Sequence, residues 1–214
     1  MMKRFLLVAA LAAAAPLAAR AESNSVTGAS ALSASARLDF AVTIPKVLFL
    51  QVGTGSSYSD TAAVDNIKFT VPATSVGNGE ALAGTGGDLF SSSVVTVRLL
   101  GNSGDISLNN TTTGALDSGI AGHPTVPWSD ILVTTSALPS ATFRFTNGAI
   151  AHPVFNTGAS GGPGVPVTVA ATGRMVRREG LWFYRYANKK ALPAGTYGGS
   201  VANNGLVVYS ATVP

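Results

Sequence analysis

"SVVTVRLL" (93–100) is the stretch that decides the class of the fold: Val95, Val97 and Leu99 fall on one face of an extended chain. A period of two with β-branched residues is the signature of a strand with a buried side. Two other stretches have the same character. "VPVTVAAT" (165–172) places Val165, Val167 and Val169 on one face, with Pro166 marking an edge or a strand start. "GLVVYSATVP" (205–214) is apolar and β-branched. Nothing beyond Glu22 sustains a helical period. Short apolar runs broken by Gly, Pro, Asn or Ser predict strands near 36–44, 47–52, 66–72, 93–100, 105–109, 130–135, 141–146, 165–171, 174–178, 181–187, 195–201 and 206–213. Short strands at this spacing, with turn residues between them, predict an all-β antiparallel sandwich or barrel.

Composition agrees. Only 11% of the 214 residues are charged, against 24 glycines and no cysteine. Exposed helical faces are built from Glu, Lys, Gln and Arg, which are scarce here, whereas strands joined by Gly-rich turns suit this mixture. Without cysteine no disulfide carries stability, so the core, the hydrogen-bond ladders or a partner chain must supply it.

The amino terminus reads as a secretory leader over 1–21. Lys3 and Arg4 precede an apolar run from Phe5 to Leu17, and Ala19-Arg20-Ala21 supplies the small-x-small cleavage pattern. The run is too short to span a bilayer and is interrupted by Pro16. Removing Lys3, Arg4 and Arg20 takes three of the 14 basic residues and none of the 10 acids, leaving 11 against 10, a net charge of +1. The basicity therefore belongs mainly to the leader and gives no persistent surface for nucleic acid. The mature chain is expected to be exported, passing through the periplasm to the cell surface or the medium, with no transmembrane segment after leader removal.

Chemistry-bearing patterns are few. Gly158-Ala159-Ser160-Gly161-Gly162 fits the nucleophile-elbow spacing, but "PGVPVTV" follows it and cannot begin the helix that such a turn needs. His123 and His152 each precede a proline and have no third ligand nearby. The aspartates are scattered, without the dense spacing of a calcium loop. No catalytic residue, metal or cofactor is predicted, and an enzyme is the least supported class.

"RMVRREGLWFYRY" (174–186) predicts a hairpin turning at Glu179-Gly180. Trp182, Tyr184 and Tyr186 share one face; Leu181, Phe183 and Arg185 share the other. Two readings follow. Trp182, Tyr184, Tyr186 and Arg185 form a surface for a carbohydrate or another partner, or the aromatics face a core while the arginines are solvated. The first would make the chain a self-contained secreted or periplasmic binding sandwich.

A second alternation begins earlier. Val26, Gly28, Leu32, Leu38, Phe40, Val42 and Ile44 all fall on the even-numbered face, a phase that would span about 60 Å at roughly 3.3 Å per residue. This exceeds an ordinary strand. Either residues 22–35 are a leader-like extension before a sandwich domain at 36–214, or they are a donor strand. A donor's backbone completes a neighbour's open sheet while Val26 and Leu32 fill pockets and Gly28 passes a tight point.

These features, with the closing "LPAGTYGG" and "GLVVYSATVP", resemble the subunits of chaperone–usher fimbriae, in particular the cysteine-free alternative or archaic branches and the spore-coat-protein-U-like group. The resemblance covers the two ends of the chain. It implies an immunoglobulin-like β-sandwich lacking one strand, with residues 25–34 as donor and the strand at 206–213 bordering the acceptor groove. It also implies that the partners are other copies or related subunits, a periplasmic chaperone and an outer-membrane usher. The function implied is polymerisation and surface display, without catalysis.

Overall fold

The computed structural model describes residues 23–56, 58–89 and 92–214. The expected leader, 1–21, and the expected mature start, Glu22, lie outside the described residues. The chain divides into two units, Met1–Ile44 and Pro45–Pro214. In the first, residues 23–44 contain no helix or strand, and every one is exposed. The strand expected at 36–44 does not form there. Its alternation is real, but no neighbouring strand offers it a ladder.

The second unit is all-β, with twelve strands among the described residues: β1 (Leu48–Val52), β2 (Ile67–Lys68), β3 (Leu82–Ala83), β4 (Thr85–Gly86), β5 (Val94–Gly101), β6 (Ile106–Thr112), β7 (Ile131–Ser136), β8 (Thr146–Asn147), β9 (Gly162–Pro163), β10 (Val167–Val169), β11 (Val176–Tyr186) and β12 (Val207–Thr212). The larger sheet is ordered β1-β5-β11-β3, with β7 and β8 also on β11; the smaller is β10-β6-β12, with β9 on β6. Pairing is antiparallel except for the short parallel contact of β8 with β11. The sheets face each other across a core of Val95, Val97 and Leu99 from β5, Val176, Trp182 and Tyr184 from β11, and Ile106 and Leu108 from β6. Trp128, Ile150 and Phe155 close it from connecting segments. Among the described residues, no helix is long and apolar enough to cross a membrane.

The expected hairpin at 179–180 is instead the middle of β11, an unbroken strand of 11 residues. Gly180 is not a turn residue. A Cβ there would lie 2.5 Å from the Gly148 carbonyl oxygen and 3.1 Å from that of Ser136. The glycine serves close backbone approach within a sheet rather than a reversal. Glu179 is tolerated mid-strand because it is paired. Register aligns Gln51, Arg98 and Glu179 across β1, β5 and β11. Arg98 Nε donates to Glu179 Oε2 at 3.0 Å, Arg98 Nη1 to Gln51 Oε1 at 3.2 Å and Arg98 Nη2 to Thr142 Oγ1 at 3.0 Å. This network sits on the sheet face away from the main core. The strand expected at 195–201 is replaced by turns, and that at 141–146 shrinks to β8.

Candidate functional site

The aromatic residues expected to form a binding surface are core residues. Trp182 is 0% exposed, Tyr184 7% and Tyr186 8%. Trp182 Nε1 donates to the Ile150 carbonyl at 2.8 Å, so its one polar group is also satisfied internally. Only Arg185 of that set is exposed, and it donates to the Ala81 carbonyl at 2.8 Å. The cause is β11's position in the sheet. With strands on both edges and a sheet facing its even-numbered residues, Trp182, Tyr184 and Tyr186 are closed off from solvent.

The outer strands differ. Among the described residues, β1 pairs only through β5, and β12 only through β6. Each therefore carries one edge of backbone N–H and C=O groups outside any ladder, the template that an added strand uses. Behind these edges the core is incompletely covered. Leu50 and Val52 on β1, and Val207, Tyr209 and Ala211 on β12 followed by Val213, pack against the core yet remain half-buried. A groove of about 420 Å³ runs along β1, lined by its five residues and by Ser59, Asp60, Thr61 and Ala63.

In the other unit, the apolar side chains at alternate positions are free of any fold. Leu38 is 68% exposed, Phe40 86%, Val42 86% and Ile44 76%. Val26 and Leu32, singled out as donor residues, are also exposed, and a Cβ at Gly28 would meet only Leu32 Cδ2, at 3.2 Å. The odd-numbered side holds Arg37 and Asp39, an exposed ion pair at 3.5 Å.

Inside the sandwich, His152 and two tyrosines form a polar chain through apolar surroundings. His152 Nε2 and the Tyr209 hydroxyl share a hydrogen bond at 2.7 Å, and the Tyr209 and Tyr184 hydroxyls share another at 3.0 Å. The imidazole lies edge-on to Trp182 and Phe155, both with centroids at 4.6 Å. Burial pushes His152 down to about 4, offset in part by a backbone hydrogen bond at Pro153. Burial likewise raises Tyr184 and Tyr209 above the ordinary phenol range. The group is neutral at physiological pH and ties β12 to β11. His123 lies elsewhere, against Tyr197, with Nδ1 3.1 Å from Ser118 Oγ.

Ser160 sits in a turn leading to β9, with no helix after it. Among the described residues no cluster of His, Cys, Asp or Glu is able to hold a metal ion. Sequence reasoning does not single out the Gln51–Arg98–Glu179 row or the His152–Tyr209–Tyr184 chain. The one signal it offers is a polar residue at an otherwise apolar strand position, as at Gln51 and Arg98.

Compared with known proteins, the chain matches no family model, no curated protein and no solved structure.

Proposed function

We propose that this chain is a structural subunit that assembles with other copies at the cell surface by strand complementation. One observation carries the reading: an alternating apolar segment without a ladder occurs in the same chain as a sandwich whose β1 and β12 outer edges have none. A strand from one copy, added at these edges in another, would satisfy backbone groups and cover Leu50, Val52, Val207 and Tyr209. The larger teeth, Leu38, Phe40, Val42 and Ile44, extend the donor beyond the Val26–Gly28–Leu32 stretch. Each apolar side chain so buried contributes about 1.5–3 kcal/mol before ordering costs. The resemblance of the chain ends to chaperone–usher subunits supports the same reading. With it come an immunoglobulin-like topology, export, a strand-lending chaperone and an outer-membrane usher.

The test compares the mature chain with Phe40→Asp and Val42→Asp by size exclusion and by gel mobility without heating. The expected result is a ladder of oligomers for the parent and monomers for the variants, with a synthetic 36–44 peptide raising the monomer's melting temperature. A parent that stays monomeric at every concentration, with a melting temperature indifferent to the peptide, would overturn the reading.

A further inference from the structure

We propose that the cleft at the start of β11 is an oxyanion-binding site, with the Arg178 guanidinium as its fork. The proposal is independent of the assembly reading. The cleft encloses about 390 Å³ and is lined by Thr146, Ala170, Thr172, Met175, Arg177 and Arg178, among others, with no acidic residue. Arg178 stands on the inward row of β11, between Val176 and Gly180 and directly across from Leu99 of β5. A cation in an otherwise apolar inward row needs a counter-charge or hydrogen-bond acceptors. Its Nε is shut off from solvent and has no hydrogen-bond partner among the described residues.

The other arginines of this unit are accounted for. Arg98 is bound to Glu179, Arg174 donates to the Ser103 carbonyl, Arg185 donates to the Ala81 carbonyl, and Arg144 lies 4.9 Å over the Phe143 ring. Neither Arg177 nor Arg178 takes part in an ion pair among the described residues. Nearby carboxylates are engaged elsewhere. Asp105 accepts the Ala171 N–H at 2.9 Å, and Glu179 projects to the opposite face, where Arg98 and the Thr142 N–H hold it.

The walls are fixed by short-range structure. Thr172 and Met175 exchange backbone hydrogen bonds at 2.9 and 3.0 Å, closing a tight turn through Gly173 and Arg174. Register with β8 sets Thr146 beside Arg178. Thr146 and Thr172 bring hydroxyl-bearing side chains to the lining, and Met175 and Ala170 bring apolar ones. A guanidinium binds two oxygens of one planar or tetrahedral anion in parallel, and such charge-assisted bonds strengthen where water is excluded. The shared chemistry is a carboxylate or phosphate oxyanion, borne by an acidic sugar or by a phosphorylated group.

The test uses the mature chain at low salt, about 20 mM, where exposed charges are weakly screened. Galacturonate, inorganic phosphate and neutral galactose are titrated while the Arg178 Nε–H resonance is followed. The expected result is a saturable shift with one or both anions, at a Kd of about 1 mM or tighter, and none with galactose. The tighter anion identifies the source. Arg178→Gln weakens binding about tenfold or more, Arg178→Lys weakens it less, and Arg185→Gln leaves it unchanged. Because the readout on the parent chain needs no variant, a misfolded Arg178→Gln does not blunt the test. No saturable shift with either anion, or an equal shift with galactose, overturns the proposal.

Discussion

β11 and β12 both end in aromatic or β-branched residues, and both turn a largely apolar row to the same core. They differ in what lies beside them. β11 is flanked by β5 and β3 on one edge and by β7 and β8 on the other, and its inward Trp182, Tyr184 and Tyr186 are buried. Among the described residues β12 has β6 alone, and its inward Val207, Tyr209 and Ala211 stay half-buried. Inward direction therefore does not by itself seal a side chain. A residue one strand from the edge is covered by its neighbours' rows, whereas a residue on the edge needs a further strand. The same aromatic character that suggests a binding surface on β11 is spent on stability there, and the opening falls on the strand whose sequence looks most ordinary.

The sharpest test of that contrast is a paired truncation. Trp182→Ala removes the largest fully buried side chain and leaves the Ile150 carbonyl without its donor. A loss of about 5 kcal/mol is expected, at the top of the range for such truncations. Val207→Ala on β12 is expected to cost about 1 kcal/mol, because the atoms removed are already partly in water. Urea unfolding of both variants measures the difference. Equal losses would mean that β12 is as enclosed as β11.

The outward face of β11 offers the next test. Glu179 is 0% exposed and faces Arg98, whose side chain is 14% exposed. Glu179→Ala would leave a nearly buried guanidinium unpaired, at a cost of about 4 kcal/mol. Replacing both residues with leucine removes the orphaned charge along with its partner, so the double variant is expected to recover most of that loss. If the single and double variants are equally unstable, the row acts through shape rather than charge. Either outcome shows how far β11's second face matches its first in holding the strand in place.

Much of this fold is legible locally. β5, β12 and β1 fall where period-two runs and turn residues place them, because each turns one row of apolar residues to the core. β11 misleads because Glu-Gly is good turn chemistry, and the partner that makes Glu179 tolerable is Arg98, 81 positions away in sequence. Tight glycine contacts with Gly148 and Ser136 are equally non-local. Alternation at 38–44 marks a strand-forming pattern, but a pattern cannot say which sheet will accept it. For the candidate site the same limit applies. Periodicity groups Trp182, Tyr184 and Tyr186 on one face, and only the arrival of β6 and β12 opposite that face makes it a core.

A pH-dependent effect falls where the two strands meet. His152 is held down to about 4 by burial, against an ordinary value of 6.5. Between those values the unfolded chain binds a proton that the folded chain refuses, so stability rises with pH through this window and is lost on acidification from about 6.5 to about 4. The difference corresponds to about 3 kcal/mol. It is read as the extra loss in the parent relative to His152→Gln, so that contributions common to both, carboxylates included, cancel. The groups facing the imidazole are Tyr184, Tyr209, Trp182 and Phe155, none of which offers a counter-charge to the protonated ring. A charged His152 carries a proton on both ring nitrogens and can accept no hydrogen bond from the Tyr209 hydroxyl, which is the same hydroxyl that bonds across to Tyr184 on β11. β12 has one ladder and β11 has two, so the amides of 207–212 are expected to lose hydrogen-exchange protection before those of 181–186 as the pH falls toward 4. Simultaneous loss in both strands would mean that the tyrosine–histidine chain is not what distinguishes them, and that the one-sided strand is no weaker than the enclosed one.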